Sequence, residues 1–502
     1  NYNTVVGDEA GTAITTGDYN VALGYDALTV DTLGGNSVAI GAFALRDQNF
    51  TSATNAYNVG VGYEAGGSIT TGTQNTFIGG LAGDALQTGL GNVALGYTAL
   101  GLEDASSANT AIGHSALANQ NAGTDAYNTA VGYNSGAAVT TGTFNTLIGG
   151  LAGDAITTGG YNTAIGGKSL TGATTGAQNF AGGYQALETN TTGSYNVGVG
   201  VNALRLNTTA SNNTAVGMSA LGANTTGDAT VAIGALAADA NTTGGDNVII
   251  GYGAFTDNTT GSFSVAIGRD ALANNTTANH NVAVGRRSLI TNTTGTNNIA
   301  MGSDSLYANT TGDSNVALGV GALAANTTAS NNTAVGLQAL LSNTTGTANT
   351  AVGALAGDAI TTGSNNVALG QGALSTEDVG GRSVAVGVNA LGQQNVDGNV
   401  YNTAVGHAAG NNVSTGTHNT FIGGLAGDAT TTGIANVAVG AEALTTNTTA
   451  NSNTAIGYGS MAANTTGTSN TSVGRSSLAA NTTASNNTAL GYFALNVNTT
   501  GA

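Results

Sequence analysis

Cysteine, proline and tryptophan are absent from this sequence of 502 residues, and only 7% of its residues are charged. Without cysteine, the chain can form no disulfides, thiolate metal sites or thiol nucleophiles. Disordered chains are usually rich in charge and proline, so the shortage of both indicates an ordered chain. No apolar run approaches the ~18 residues of a membrane helix, so we expect no membrane insertion of this segment.

Positive charge is scarce as well, because 8 Lys and Arg stand against 26 Asp and Glu, for a net charge of −18. The chain has no basic stripe of the kind that contacts a phosphate backbone, so we expect no nucleic-acid partner. The acidic residues are spread thinly, and we interpret them as a contribution to solubility.

Most positions are filled by asparagine, threonine, alanine and 80 glycines, arranged in a repeat. An N-T-A-V-G element, whose first residue is Asn or, in a few repeats, Ser or Thr, recurs at 29 register points. Of the 28 intervals between them, 25 are 17 residues long, one is 21 and two are 19. A repeat this strict outranks any local propensity as a structural signal.

Each repeat is numbered here from its register residue, which is position 0. Position 3 is aliphatic almost everywhere, position 4 is Gly, position 8 is commonly Leu, and positions 11 to 14 often read N-T-T-G. The repeat of Asn179 has Gly182 at position 3, which we predict to be a local weakness. Positions 1 and 3 of a strand face one side and position 2 the other.

These positions predict one coil of a β-solenoid per repeat. Gly at position 4 allows a turn with positive φ, the A-L segment predicts a second short strand, and N-T-T-G closes the coil with left-handed Asn and Gly. Helical spacing is missing. We therefore predict an all-β chain: a parallel β-solenoid of about 29 coils, one continuous domain over 1–502, roughly 140 Å long at ~4.8 Å per coil.

Self-association is predicted from the strand segments V-A-I and V-A-L, which are apolar on both faces. Such strands are normally covered on both sides, and the small Ala at position 2 would let another chain approach closely. We expect a homo-oligomer, a trimer in the favoured case, packed along this strand.

Asn1 and Ala502 both fall at position 15. The chain is therefore expected either to be a segment of a longer protein or to stack head to tail into a filament.

Three longer repeats carry their extra residues in the same phase, at 46–57, 119–127 and 393–401. Each of these segments ends in Tyr just before the register Asn. Bulges in one phase should lie along one edge of the solenoid, where binding loops often occur. We interpret them as duplicated structural irregularity, with a ligand-contacting ridge as the alternative.

Residues that could carry chemistry are few, and we predict no catalytic, cofactor-binding or metal-binding residues and no enzymatic activity. Four histidines are interpreted as surface residues: His114, His280, His407 and His418. Four aspartates recur singly in L-A-G-D-A, without the clustered oxygens of a calcium site: Asp84, Asp154, Asp358 and Asp428. The Gly-x-Gly fragment at 197–203 lacks the strand–helix context of a nucleotide-binding loop.

N-T-T is also an N-glycosylation sequon, present at Asn190, Asn207, Asn224 and many later repeats. We interpret these residues as turn and ladder residues, with glycosylation as the alternative.

The element N-[TV]-A-[VIL]-G followed by a small residue and Leu, as at 212–221 and 263–272, resembles the head repeats of trimeric autotransporter adhesins. The longer form with N-T-T-G, as at 292–312, resembles repeats of phage-type tail-fibre proteins and large bacterial surface proteins. The resemblance covers almost the whole chain. It implies a trimeric, left-handed parallel β-roll at the cell surface or outside the cell.

Three functions are therefore open. The first is a structural or adhesive extracellular fibre, which associates with itself and binds a host or surface receptor or glycans. The second is an ice-binding or glycan-binding solenoid, with a phage tail-fibre shaft as a related possibility. The third is a carbohydrate-acting enzyme on a β-helix, which lacks an acidic pair. Paired ranks of Thr for ice would need T-x-T, whereas adjacent Thr at positions 12 and 13 should point opposite ways.

Overall fold

The computed structural model describes residues 2–501, which form β-strands and turns without any helix. The chain consists of two compact units, Asn1–Ile249 and Ile250–Ala502. In each unit the three-residue strand of one repeat pairs in parallel with the strand of the next. The predicted all-β fold, a parallel β-solenoid with one repeat per coil and 29 such strands, is confirmed. A single domain over 1–502 and left-handed winding stay predictions, and the head-to-tail junction involves Asn1 and Ala502, which lie outside the described residues.

The first unit contains the strands Thr4–Val6 (β1), Val21–Leu23 (β2), Gly34–Gly35 (β3), Val38–Ile40 (β4), Thr54–Asn55 (β5), Val59–Val61 (β6), Thr76–Ile78 (β7), Val93–Leu95 (β8), Thr110–Ile112 (β9), Thr129–Val131 (β10), Thr146–Ile148 (β11), Thr163–Ile165 (β12), Phe180–Gly182 (β13), Val197–Val199 (β14), Thr214–Val216 (β15) and Val231–Ile233 (β16). Strand β17, Val248–Ile250, lies at the division in the chain between the units. The second unit contains the strands Val265–Ile267 (β18), Val282–Val284 (β19), Ile299–Met301 (β20), Val316–Leu318 (β21), Thr333–Val335 (β22), Thr350–Val352 (β23), Val367–Leu369 (β24), Val384–Val386 (β25), Thr403–Val405 (β26), Thr420–Ile422 (β27), Val437–Val439 (β28), Thr454–Ile456 (β29), Thr471–Val473 (β30) and Thr488–Leu490 (β31).

The register places the same repeat position at the same place in every coil. In the pair β15–β16, for example, Ala215 lies opposite Ala232 and Val216 opposite Ile233. The longer repeats keep this register, since β4 still pairs with β6 position by position. Each repeat position therefore forms a row of side chains along the axis of its unit.

The core is built from the inward rows at positions 2, 7 and 8. Ala215 at position 2, Ala220 at position 7 and Leu221 at position 8 are all 0% exposed. The prediction that Ala at position 2 faces another chain is therefore wrong, because this residue points into the narrow interior, where only a small side chain fits. The larger aliphatic side chains at positions 1 and 3 face outward instead.

The predicted second strand around A-L is also wrong, because this segment consists of turns. Positions 6 and 8 are left-handed: Asn202 has φ 59° and Leu204 has φ 51°. Left-handed residues interrupt the pleat of a strand. The turns still stack, since the N–H of Leu204 donates to the carbonyl of Ala220 at 3.0 Å.

The N-T-T-G corner differs from the prediction as well. Its Asn and Gly are not left-handed, and the left-handed residue follows at position 16, as in Asn212 with φ 61°. Gly227 at position 14 lies close to the next coil, since a Cβ there would meet the carbonyl oxygen of Gly244. Other coils have Ala at this position, as at Ala210, so close stacking favours a small residue rather than glycine alone.

Two kinds of coil fill the same core volume in different ways. Where position 8 is Gly instead of Leu, position 11 is in most cases a large aliphatic residue instead of Asn. A Cβ on Gly153 would meet Ile156 Cδ1 and Leu147 Cδ2, each at 2.8 Å. The side chains from positions 2 and 11 thus occupy the space that Leu holds in other coils. The glycines of this kind are Gly11, Gly66, Gly83, Gly136, Gly153, Gly357, Gly410 and Gly427.

The adjacent residues Gly149 and Gly150 provide a matched test of coil stacking. At Gly149, φ is 138° and a new Cβ would lie 2.6 Å from the carbonyl carbon of Gly166, whereas at Gly150 nothing lies within 4 Å. We expect Gly149→Ala to destabilise the protein by roughly 1–3 kcal/mol or more. Gly150→Ala should be neutral or stabilise by about 0.4–1 kcal/mol. Urea unfolding midpoints followed by circular dichroism check this, and equal midpoints for the two variants would contradict it.

Candidate interaction face

Two buried rows of asparagine hold the coils in position. At position 0, Asn213 Nδ2 donates to the carbonyl of Gly227 at 2.9 Å, and its Oδ1 accepts from the N–H of Thr230 in the next coil, also at 2.9 Å. Each such amide therefore closes its own coil and fixes the height of the next one. Buried polar groups whose hydrogen bonds are satisfied in this way specify one geometry, because any shift leaves them unpaired.

The second row runs along position 11 and contains the sequon asparagines. Asn207 Nδ2 donates to Asn190 Oδ1 at 2.8 Å and to the carbonyl of Ala210 at 3.0 Å. Asn224 repeats the pattern one coil further, and the three asparagines are 0% exposed. Their predicted role as ladder residues is confirmed. In the folded protein, the nitrogen to which a glycan would attach is buried and hydrogen-bonded.

The asparagine rows fix the positions of the coils, and the outer surface of the sheet carries aliphatic side chains. Positions 1 and 3 point outward in every coil, as in Val231, Ile233 and Ile165, of which Ile233 is 39% and Ile165 43% exposed. Strand β13 continues this surface without interruption at Gly182, because the ring of Phe180 lies beside the position of the missing side chain. Positions 1, 3, 5 and 16 together are called the sheet face below.

Tyrosine is frequent along both edges of the sheet face, at positions 5 and 16. All 16 tyrosines are exposed by at least 36%, and all except Tyr307, at position 9, lie at position 5 or directly before a register residue. The residue directly before a register residue is called position 16 in the longer repeats as well. Tyr is common at interfaces because its ring is apolar and its hydroxyl remains hydrated. The position 16 row contains Tyr2, Tyr19, Tyr57, Tyr127, Tyr161, Tyr195 and Tyr401. The position 5 row contains Tyr25, Tyr63, Tyr97, Tyr133, Tyr184, Tyr252, Tyr458 and Tyr492.

The two rows use their rings differently. At position 16, Tyr127, Phe144 and Tyr161 stack with centroids 5.1 and 4.9 Å apart and planes within 17° and 7° of parallel. These rings cover one another and present mainly their edges. At position 5, Tyr97 and Tyr133 contact His114 between them at tilts of 37° and 31°. The two rows therefore differ in the orientation of neighbouring rings, while their exposure is similar, at 60% for Tyr161 and 58% for Tyr133.

Five of the eight Lys and Arg residues lie over an aromatic ring. Arg269 lies 5.7 Å from the ring centre of Tyr252, and Arg475 lies 5.6 Å from that of Tyr458. Cation–π contact of this kind is attractive where an Arg can leave water in part. The sheet face combines aliphatic side chains at position 3 with aromatic and polar residues at its edges, and position 1 is Thr in 14 of the 29 repeats.

The longer coils insert their extra residues at the corner between positions 11 and 16, which confirms that the three insertions share one phase. In each, position 11 is a buried Gln, and the preceding coil has a buried acid there. Gln394 Nε2 donates to Glu377 Oε2 at 2.7 Å, and Asn402 Nδ2 donates to Gln394 Oε1 at 2.8 Å. The Gln spans the gap that the insertion leaves in the amide rows. Gln48 Nε2 donates to Asp31 Oδ2 in the same way, at 2.6 Å. In the third case Glu103 and Gln120 are both buried, but Gln120 Nε2 donates to Asn109 Oδ1 at 3.0 Å instead.

Two polar cavities open beside the first and third long coils. The larger, about 440 Å³, lies between Tyr19 and Tyr57 and is lined by Asn36 and Asn55. The smaller, about 210 Å³, is lined by Arg382 and residues of the two coils around it. Extra backbone pairing supports both corners, through β3 with β5 and a bridge from Gly381 to Asn399. A ligand-contacting ridge at these loops stays a prediction.

The predicted histidines lie on the surface, as expected. All four are exposed, and His280 stacks on Phe263 at 5.3 Å. His418 contacts Tyr401 at 5.4 Å, and His114 lies between two tyrosines as described above. The fragment 197–203 forms strand β14 and a turn at Gly200, without a following helix. These residues take part in side-chain rows and are not brought together into one site.

The recurrent aspartates lie at position 9 of separate coils. Burial raises the pKa of Asp84, Asp154 and Asp358 above the ordinary value for aspartate. Asp428 accepts a hydrogen bond from Thr445 Oγ1 at 2.7 Å. Over residues 2–501, no three side chains of His, Cys, Asp or Glu come close enough together to hold a metal ion.

Sequence reasoning missed the tyrosine rows and the buried acid–Gln pairs. Both had a signal, since alignment on the register shows Tyr at positions 5 and 16 and Gln at position 11 of each longer repeat. The chain matches no known family model and no curated protein. In the described part of the chain, no helix has the length and apolar character that crossing a bilayer requires.

Two substitutions in one repeat can separate the structural role of N-T-T in the buried amide row from its role as an N-glycosylation sequon. Asn207→Ala and Thr209→Ala both destroy the sequon, but only Asn207 is buried in the amide row, whereas Thr209 is exposed. We expect Asn207→Ala to destabilise by about 1–3 kcal/mol, because it leaves neighbouring amides unpaired, and Thr209→Ala to have little effect. Urea midpoints measure both, and similar losses in the two variants would refute the ladder role.

The buried Glu377 should make stability depend on pH. Burial raises its pKa above the ordinary 4.5, so the native state binds the proton more tightly than the unfolded state. The stabilisation is complete below about pH 4 and is lost as pH rises through the raised pKa. Glu377→Gln should flatten this part of the pH dependence. It should also lower stability at about pH 7, because Oε1 and Oε2 of Glu377 both accept hydrogen bonds and the Gln side chain has a single acceptor oxygen. Urea midpoints across this range test it, and an unchanged pH dependence in the variant would contradict it.

Proposed function

We propose that this protein is a non-enzymatic structural and adhesive fibre protein of the cell surface or extracellular space. Its solenoid units associate with further copies of the chain through the sheet face. The observation that carries the proposal is the sheet face itself, which has an outward aliphatic side chain at position 3 of every coil except that of Asn179, with tyrosine rows along its edges. Exposed apolar surface on this scale is typical of an interaction site.

The size of the sheet face is sufficient for a stable interface. The strip formed by positions 1 to 3 is about 10 Å wide, and coils repeat every ~4.8 Å, so fourteen coils offer roughly 670 Å². The strands β18–β31 of the second unit are a set of this length. The flanking rows about double the width, and a stable interface needs about 800 Å² per partner. A second copy also has the same axial repeat, which lets its side chains interdigitate in register.

The two other functions have less support. The adjacent Thr at positions 12 and 13 both lie outside the core, with Thr208 half-buried and Thr209 exposed. Thr208 Oγ1 donates to the carbonyl of Thr225 at 3.0 Å, so this hydroxyl row is used within the solenoid rather than presented to ice. A glycosidase needs two carboxyl groups across one bond, whereas the recurrent aspartates lie in separate coils.

Charged residues introduced on the sheet face test self-association. The double variant Val216→Lys/Ile233→Lys places two charges on adjacent coils of the face, and Thr209→Lys/Thr226→Lys places the same charges on another side. We expect the wild type to form oligomers or filaments. The first variant should associate at least about tenfold more weakly, since burying unpaired charge is costly, and the second should behave as the wild type.

Size-exclusion chromatography with light scattering and electron microscopy provide the measurement. A wild type that stays a compact monomer at micromolar concentration would overturn the proposed association. An equal loss in both Lys variants would show that the contact surface lies elsewhere.

A further inference from the structure

Four tyrosines of the position 5 row lie on every second coil of the first unit. Tyr25, Tyr63, Tyr97 and Tyr133 follow strands β2, β6, β8 and β10, and one paired strand lies between each two neighbours. At ~4.8 Å per coil, successive rings are therefore about 9.6 Å apart along the axis. These four residues are called the tyrosine row.

Two of the three intervening coils have a small residue at position 5, Ala42 and Gly80. The third has His114, whose ring lies between Tyr97 and Tyr133 and contacts both. A Cβ on Gly80 would lie 3.5 Å from Tyr97 Cδ2, so this ring leans over the glycine. The four tyrosines are between 46% and 58% exposed. Tyr63 meets Phe43 at 88°, edge to face, in contrast with the parallel stacking at position 16.

Each ring has a polar neighbour at position 6. These residues are half-buried and can donate or accept hydrogen bonds beside the ring: Asp26, Glu64, Thr98 and Asn134. The charges of Glu64 and of Asp26 raise the pKa of Tyr63 and of Tyr25, respectively. Both phenols thus stay neutral and can donate hydrogen bonds. An aromatic ring with an adjacent hydrogen-bonding group is suited to a sugar, which has an apolar C–H face and polar hydroxyls at its edge.

From this arrangement we infer that the tyrosine row binds an extended, uncharged β-1,4-linked glycan, with one tyrosine under every second sugar. Successive sugars of such a chain are turned over, so every second one presents the same face, and the two-coil spacing is about the length of a disaccharide. The net charge of −18 repels polyanionic glycans and so favours a neutral chain. The inference supplies a ligand class for the adhesive role proposed above, and it does not require self-association through the sheet face.

Binding to the full-length chain can be measured by titration calorimetry with cellohexaose and chitohexaose. Maltohexaose, whose α-linkage curves the chain, is the control ligand. We expect binding of at least one of the two β-1,4-linked oligosaccharides, and whichever binds identifies the sugar as glucose or N-acetylglucosamine. Maltohexaose should bind at least about tenfold more weakly, because it cannot contact several rings of a straight row. Failure of both β-1,4-linked ligands to bind, or equal binding of all three, would overturn the inference.

Substitutions in the tyrosine row test whether it is the glycan-binding site. Tyr63→Ala/Tyr97→Ala removes two rings of the row, and Tyr127→Ala/Tyr161→Ala removes two rings of similar exposure at position 16. We expect the first variant to bind at least about tenfold more weakly and the second to bind as the wild type. Tyr63→Phe/Tyr97→Phe should keep most of the affinity, because stacking is retained. Circular dichroism melts confirm that each variant is folded.

Other results would refute the glycan site. Equal affinity for the glycan in both Ala variants would show that the sugar binds elsewhere. A loss of self-association without any change in glycan affinity in Tyr63→Ala/Tyr97→Ala would assign the row to the contact between copies. Loss of association in the Lys variants described above, with glycan binding intact, would leave the tyrosine row supported, so the two proposals fail separately.

Discussion

Buried side-chain amides set the geometry on which the other features of this protein depend. In coils of ordinary length, the asparagine at position 0 typically closes its own coil through the carbonyl at position 14 and accepts the N–H of the next coil, as Asn213 does. Since one amide sets both the perimeter and the spacing of the coils, equivalent residues repeat at a constant interval. Rows of outward side chains, including the tyrosine rows, follow from this constraint. At the longer coils, Gln takes over the same task with its longer side chain.

The fold was predictable in outline because its period is explicit in the sequence. The strand at positions 1 to 3, the glycine turn at position 4 and the parallel stacking all follow from the register. The side of the strand that faces the core did not follow, because V-A-I is apolar on both sides and a strand of three residues has too few positions for a clear alternation. Only the packing shows that Ala232 is inside and Ile233 outside.

The turn region was less predictable for a different reason. A leucine with positive φ is unusual, and Leu204 takes this conformation because its side chain must reach the core from a stacked turn. The tyrosine rows could have been found by alignment on the register. Whether neighbouring rings stack or stay open depends on adjacent coils, such as Phe144 beside Tyr161 or Gly80 beside Tyr97, which the composition of a single repeat does not show.

The function proposed here depends on the outward orientation of positions 1 and 3, which thiol labelling can measure directly. Since the chain has no cysteine, a single cysteine can be placed at each residue of β15 in turn and its reaction rate with a maleimide compared with that in the unfolded protein. At a concentration too low for copies to associate, Thr214→Cys and Val216→Cys should react at rates close to the unfolded ones, and Ala215→Cys should be strongly protected. Protection at Thr214 and Val216, with rapid labelling at Ala215, would contradict the account.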